Sequence, residues 1–269
     1  MNINASQREQ EILRELRLAG GSSRITYLAR RLEVSDETIR RNIKSLEAKG
    51  LAEKNHGGVV LTGAISKTEE PFRARMDENA TVKKVLAYKV AQMINDGDSL
   101  FLDIASTTAY VAEALRNHRD LFIVTNSMAV ANTLTAKNNN RVFFAGGELR
   151  AHDGGSFGLD AIKFVQRFTF QYAILSVTAV NADIGFMLHD VPEADLSCAA
   201  AKRAQTRIVV ADSGKMGRRA PIALPETSSL DILVTDQQPD SAISAMLDKN
   251  EITVVLPDNS PPEKGRLNG

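Results

Sequence analysis

The stretch V-S-D-E-T-I-R-R-N-I-K-S-L-E-A-K-G-L-A-E-K-N-H-G-G, residues 34–58, decides the fold of the N-terminal part of the chain. Ser35 is a good helix N-cap, and Asp36 and Glu37 bring negative charge to the first turn, where the helix dipole favours it. Ile39, Ile43 and Leu46 recur at i, i+4 and i+7 and form one apolar stripe. With about 100° of turn per residue, Arg41 and Lys44 point nearly opposite that stripe, and Thr38 and Arg40 flank it. Gly50 after Lys49 ends the helix. The result is a short amphipathic helix with a basic outer face.

Its neighbours extend the pattern. Residues 6–19 carry Ile12, Leu13 and Leu16 at helical spacing and run into Gly20-Gly21. S-R-I-T-Y-L-A-R-R-L-E-V, residues 23–34, reads as a second helix with Ile25, Leu28, Ala29 and Leu32 inward. Glu33-Val34-Ser35 is then a tight connection into the third helix, as in a helix-turn-helix whose second helix enters a DNA groove. Leu51 to Lys54 and Val59 to Thr62 predict two short strands joined by Asn55-His56-Gly57-Gly58. Residues 1–62 are therefore expected to form a winged helix-turn-helix. Lys plus Arg and Asp plus Glu number 33 each over the whole chain, yet residues 1–62 hold 11 basic and 8 acidic side chains, so the positive excess sits with this unit. The expected contacts to double-stranded DNA are Ser35, Thr38, Arg40, Arg41 and Lys44 from the helix, and His56 and Gly57 from the wing. An arginine can read guanine through two parallel hydrogen bonds, whereas Lys44 and the wing suit phosphate.

At 269 residues the chain has room for one small and one medium domain. A hydrophobic fraction of 43% and a charged fraction of 25% are ordinary for a globular protein. No apolar run reaches about 18 residues and no charged-then-apolar leader appears, so neither a membrane span nor a signal peptide is expected. The single cysteine, Cys198, has no internal partner, which suits the cytoplasm. His56, His118, His152 and His189 show no metal-ligand spacing. No phosphate-binding Walker motif, dinucleotide fingerprint or nucleophile elbow is present, and no cofactor is expected. Residues 258–269, D-N-S-P-P-E-K-G-R-L-N-G, read as a disordered tail.

Residues 63–80 read as a linker, after which a helix is expected to begin near Thr81 with Val82, Val85, Leu86, Val90 and Met93 inward. From Asn95 strands and helices alternate. Strands are expected at 99–104, 121–125, 141–145, 172–177, 207–211, 231–235 and 251–256, with helices at 107–116, 127–136, 193–205 and 240–248. Such alternation predicts a mainly parallel sheet covered by helices over residues 81–257, with ligands at the carboxyl ends of the strands. Those ends supply Asp103-Ile104-Ala105-Ser106-Thr107-Thr108, Thr125-Asn126-Ser127, Gly146-Gly147-Glu148 and Asp212-Ser213-Gly214-Lys215. Hydroxyls at a helix start suit an anion, paired glycines let backbone approach a ligand, and a lysine beside an acid suits a phosphate next to hydroxyls. Four polar loops are thus expected on one edge.

Two sets of motifs carry a family resemblance. V-S-D-E-T-I-R-R-N-I-K-S-L-E-A-K-G followed by H-G-G resembles the N-terminal signature of the DeoR family of bacterial sugar-metabolism regulators. Thr38, Ile39, Arg40, Arg41, His56, Gly57 and Gly58 match it, and Asn42 stands where the family has aspartate. D-I-A-S-T-T, V-T-N-S, A-G-G, E-A and D-S-G-K-M-G resemble the motifs of the family's sensor domain, with Ala105 in place of a glycine and Gly214 in place of a serine. Pro71, Phe72, Arg73 and Arg75 resemble the Pro-Phe and arginines that join the two domains, and Q-Y-A-I-L-S-V-T-A-V-N-A-D-I-G-F, residues 171–186, matches loosely. The resemblance spans about residues 6–256. It implies an α/β sensor domain similar to ribose 5-phosphate isomerase and coenzyme A transferase folds. Ser106, Thr107, Thr108 and Lys215 would hold phosphate, Asp103, Asn126 and Asp212 would meet hydroxyls, and Thr125, Gly146 and Gly147 would complete the site. The function expected is a cytoplasmic repressor of a carbohydrate-utilisation operon, a homodimer or homotetramer on operator DNA, relieved by a phosphorylated sugar or polyol. The alternative is a sugar-phosphate isomerase with an accessory helical domain, for which Asp103, Asp190 and Glu193 are the candidate bases.

Overall fold

The computed structural model describes residues 5–18, 22–55, 58–62, 72–224 and 227–257. The N-terminal unit consists of α1 (Ala5–Leu18), β1 (Ser22–Arg24), α2 (Ile25–Arg31), α3 (Asp36–Ala48), β2 (Ala52–Asn55) and β3 (Gly58–Leu61). The apolar positions picked out by helical spacing, among them Ile12, Leu16, Leu28, Ile39, Ile43 and Leu46, are buried in one cluster with Val59 of the wing. Ser35 caps α3, its Oγ accepting from the Thr38 amide at 3.2 Å. The turn before it is made by Glu33 at φ 53° and by the Val34 amide donating to the Ala29 carbonyl at 3.0 Å. Lys49 at the end of α3 pairs with Glu9 of α1 at 2.5 Å.

One boundary differs from expectation. Ser23 and Arg24 start no helix but form β1, antiparallel to β3 with Ser23 opposite Val59, so the wing has three strands. Serine competes poorly for a helix interior, and here the backbone of both serines finds ladder partners instead. His56 and Gly57 lie outside the described residues, as do Gly20-Gly21, residues 63–71 and residues 258–269.

The α/β unit follows with α4 (Phe72–Asp77), α5 (Ala80–Ala91), β4 (Ser99–Leu102), α6 (Ser106–Ala114), β5 (Phe122–Thr125), α7 (Met128–Leu134), β6 (Arg141–Phe144), α8 (Leu159–Val165), β7 (Phe170–Ser176), β8 (Ala179–Asn181), β9 (Gly185–Leu188), α9 (Val191–Ala201), β10 (Ala204–Val210), β11 (Ile222–Ala223), β12 (Ile232–Val234), α10 (Ser241–Lys249) and β13 (Thr253–Val255). Seven strands form one sheet in the order β13-β12-β10-β7-β4-β5-β6, and every pairing in it is parallel. Side chains alternate across it. Phe101, Val124, Leu175, Val209 and Leu233 pack on one face with α8, α9 and α10, while Leu100, Leu102, Ile123, Ile174 and Val210 pack on the other with α5, α6 and α7. Residues 72–77, inside the stretch read as a linker, are helical. On α5 the buried positions are Lys83, Leu86, Ala87, Val90 and Ala91, and Val85, expected inward, is 44% exposed. The inward face includes a lysine, which a search for apolar residues alone passes over.

Beyond the sheet's carboxyl end, β8, β9 and β11 make a small antiparallel sheet. Its β8–β9 turn ends at Gly185, where φ is 88° and a Cβ would lie 2.2 Å from Thr227 Oγ1. Both the backbone region and the space there demand glycine. Gly185→Ala is expected to lower the unfolding free energy by about 1–3 kcal/mol, measured by urea denaturation. An unchanged midpoint would mean that the turn relaxes freely.

Candidate functional site

Two faces of the molecule concentrate polar chemistry. The first lies on α3. Arg40, Arg41 and Lys44 are exposed, and together with Glu37, Glu47, Lys54 and Ile25 they line one open groove between α3, the start of α2 and the wing. Glu47 is anchored there by accepting from the Lys54 amide at 2.7 Å. Ser35 and Thr38 already share a hydrogen bond of 2.9 Å between their hydroxyls, so their first task is to cap the helix. Asn42 points inward, 5% exposed, and its Nδ2 donates to the Thr38 carbonyl at 2.8 Å. An amide at this position satisfies a carbonyl of its own helix and brings no charge to the arginines beside it.

The second face is a cavity of about 310 Å³ at the carboxyl ends of β4, β7 and β10. Its position follows from the sheet order. The chain leaves β4 for β5 and β6 on one side and returns to β7 on the other, which opens a crevice between the ends of β4 and β7. Ala105 and Ser106 enter after β4, Ser176 to Thr178 after β7, and Asp212, Gly214 and Lys215 after β10. Lys215 Nζ donates to Ser176 Oγ at 3.1 Å, and buried Lys83 Nζ donates to Ser106 Oγ at 3.0 Å. Arg75, Arg218 and Arg219 add positive charge, against Glu78, Glu193 and Asp212. Burial holds the Lys83 ammonium below the usual lysine range, and the charge of Lys215 lowers it further. Burial also lowers Lys215, with Arg75 acting in the same direction and Asp212 against it. An anion placed between these groups would favour the charged form of both lysines.

The expected residues do not all meet here. Ser106, Asp212 and Lys215 line the cavity, whereas Asp103, Thr107 and Thr108 are buried and lie outside its lining. Thr108 Oγ1 donates to the Asp103 carbonyl at 2.9 Å and fastens the loop. Ala105, at φ −155° and ψ 161°, is in extended backbone that needs no glycine. A Cβ at Gly214 would approach Asp212 Oδ1 to 2.8 Å, so glycine leaves that carboxylate room. Thr125, Asn126, Gly146 and Gly147 lie apart from the cavity. Segment 146–157 folds over the end of β5, and Asn126 exchanges hydrogen bonds with Ser156, Nδ2 to the Ser156 carbonyl and the Ser156 amide to the Asn126 carbonyl, both at 3.1 Å. Asp190 caps α9 and is held by Arg150, while Glu193 faces the cavity. Sequence reasoning missed Lys83, Arg75, Arg218 and Arg219. Lys83 had a signal, a cation at i relative to Leu86, Ala87 and Val90.

Burial raises the Asp103 carboxyl from 3.8 to about 7, against the pull of the Ser176 amide, which donates to Oδ2 at 2.7 Å. The folded chain therefore keeps this proton until about pH 7, whereas the unfolded chain releases it near 3.8. Stability from Asp103 is full below the lower value and is lost as pH rises through the upper one. Asp103→Asn retains an acceptor for the amide and has nothing to titrate. The parent is expected to lose stability relative to this variant between about pH 4 and about pH 7, measured by urea denaturation across that range. A difference that is flat with pH would mean the carboxyl does not hold the proton.

Comparison with known proteins fits both faces. A DeoR-like helix-turn-helix domain matches residues 8–63, and the DeoR C terminal sensor domain matches residues 78–237. The glycerol-3-phosphate regulon repressor of Escherichia coli strain K12 is 34% identical over 229 residues, covering 85% of this chain and 90% of that protein. The transcriptional repressor CsqR of the same strain is 35% identical over 237 residues, 88% of this chain and 90% of its own length. The putative aga operon transcriptional repressor of Escherichia coli O157:H7 is 29% identical over 233 residues, 86% of each chain. Among solved structures, ribose 5-phosphate isomerase from Plasmodium falciparum is similar at 13% identity over 51% of this chain and 52% of that chain, with a TM-score of 0.37, too loose a likeness to bear on activity. All three sequence relatives are named repressors, and the isomerase alternative gives way to them. Matched in both of its parts and over most of its length, the chain belongs to the DeoR family of DNA-binding transcriptional regulators.

Proposed function

We propose that this regulator represses a carbohydrate-utilisation operon in the cytoplasm and releases its operator when a phosphorylated sugar or polyol enters the cavity between β4 and β7. The observation that carries this reading is that Lys215, bonded to Ser176, and Lys83, bonded to Ser106, line a cavity that holds more cations than carboxylates. A phosphate ester meets charge-assisted hydrogen bonds there, roughly twice as strong as neutral ones. Asp212, whose charge favours the Lys215 ammonium, accepts a sugar hydroxyl. Relatives named for a glycerol-3-phosphate regulon and an aga operon agree with a small phosphorylated effector. α3 lies in the major groove of operator DNA, with Arg41 reading a base edge, Arg40 beside it and Lys44 on phosphate. The wing residues His56 and Gly57 add backbone contacts, and two heads in a homodimer or homotetramer read the two halves of the operator.

Two measurements test the two halves of this reading. On an operator selected from random duplexes, Arg41→Ala is expected to cost about 1–3 kcal/mol and relax preference at one base pair, while Lys44→Ala weakens all sequences and lowers the salt slope by about one. Equal losses on operator and random DNA for Arg41→Ala would remove it from base reading. A panel of phosphosugars and phosphorylated polyols is expected to contain a compound that raises Tm and weakens operator binding, with its unphosphorylated form inert at the same concentration. Lys215→Ala abolishes that response and leaves effector-free DNA binding at the parental level. A panel that moves neither Tm nor operator affinity sinks the sensor assignment.

A further inference from the structure

Part of the cavity wall belongs to the segment that follows the connection from the DNA-binding head. α4 and the turn after it contribute Arg75, Glu78 and Asn79. Three side chains hold this segment in place. Lys83 donates to the Arg75 carbonyl, the Tyr110 hydroxyl donates to the Met76 carbonyl at 3.0 Å, and Asn79 Nδ2 donates to Asp212 Oδ1 at 3.2 Å. α4 is six residues long and none of them is buried, so it has little apolar packing of its own. Opposing these bonds is repulsion among cations from three elements. Arg75 and Lys215 both act against the charge on Lys83, and Arg75 acts against that on Lys215, with Glu78, Asp212 and Asp103 as the nearby carboxylates.

We infer that Arg75, Lys83 and Lys215 form one subsite for a doubly charged phosphate group, and that the bound anion fixes α4 to the sensor domain. This rests on the reading of the cavity as a phosphate-effector site and adds two binding residues and a route to the DNA head. An ammonium has three donors, of which Lys83 uses two on the Arg75 carbonyl and Ser106 Oγ, and the third meets a phosphate oxygen. A dianion among the three cations turns their repulsion into attraction, and the gain falls mostly on the element with the least packing, α4. Residues 63–71 join α4 directly to the winged helix in sequence. A ligand shifts function only through unequal affinity for two states, and the tightly and loosely held forms of α4 are those two states.

The test uses the full chain, inorganic phosphate as the probe and chloride at matched ionic strength as the control. Amide exchange across residues 72–79 is expected to slow about tenfold on phosphate binding, within the usual range of coupling between sites. Arg75→Gln removes the slowing. Tyr110→Phe, which deletes a bond to α4 from a residue outside the cavity lining, is expected to weaken phosphate binding about two- to tenfold, the worth of one hydrogen bond. Phosphate that binds the parent without slowing exchange at 72–79 overturns the inference and leaves the effector site standing, and so does parental phosphate affinity in Tyr110→Phe. Absence of phosphate binding to the parent overturns both. The exchange measurement on the parent decides the matter even if a variant fails to fold.

Discussion

The parallel pairing of β4 with β7, Leu100 opposite Tyr172 and Leu102 opposite Ile174, is the constraint on which the arrangement of this molecule turns. Because the chain has already spent β5 and β6 on the far side of β4 before it returns to β7, the loops leaving β4 and β7 diverge and cannot close over each other. The crevice between them is a product of strand order, and it would exist for any apolar sequence threaded this way. What the sequence adds is the charge within it. Ser106 at the start of α6, Ser176 at the end of β7 and Lys215 after β10 are brought within hydrogen-bonding reach of one another or of Lys83.

Much of this was legible in the residues and some was not, for physical reasons. Helical spacing in α3 located the exposed basic face, because an amphipathic helix writes its burial pattern at short range. The alternation of strands and helices in residues 95–256 likewise announces a parallel sheet, and of the four strand-end loops expected on one edge, those after β4 and β10 line the cavity. The loops that share a cavity depend on which strands are neighbours, and neighbour order is a long-range property. Hence Thr125, Asn126, Gly146 and Gly147 looked equivalent to Ser106 and Lys215, yet they lie outside the cavity lining, and Asn126 is bonded to Ser156 instead. Lys83 escapes a pattern read for apolar residues alone, although Leu86 and Val90 are buried as expected, Val82 and Met93 pack against the same cluster, and Val85 alone of that stripe is exposed. Arg75 lay in a stretch whose composition resembled a linker.

The two departures from the family motifs have different weight. Ala105 sits in extended backbone, so its methyl group costs the loop nothing in conformation. Asn42 has a more specific role, since its amide replaces a charged group with one that bonds within α3. The outer arginines share their groove with Glu37 and Glu47 of the same helix, not with an acid at position 42.

Lys83 also bears on how the α/β unit assembles. Its ammonium lies on the buried face of α5, beside Leu86, Ala87 and Val90, which pack against the sheet. Docking that helix therefore brings a positive charge into the interior, where a charge without partners is costly. Its partners come from elsewhere in the chain, the Arg75 carbonyl on α4 and Ser106 at the start of α6. A partly folded chain with α5 packed but the Ser106 loop unformed would hold an uncompensated charge and be disfavoured. The packing of α5 and the order of the Ser106 loop are thus linked through one ammonium. In this fold a single lysine belongs at once to the buried face of a helix and to the wall of the cavity.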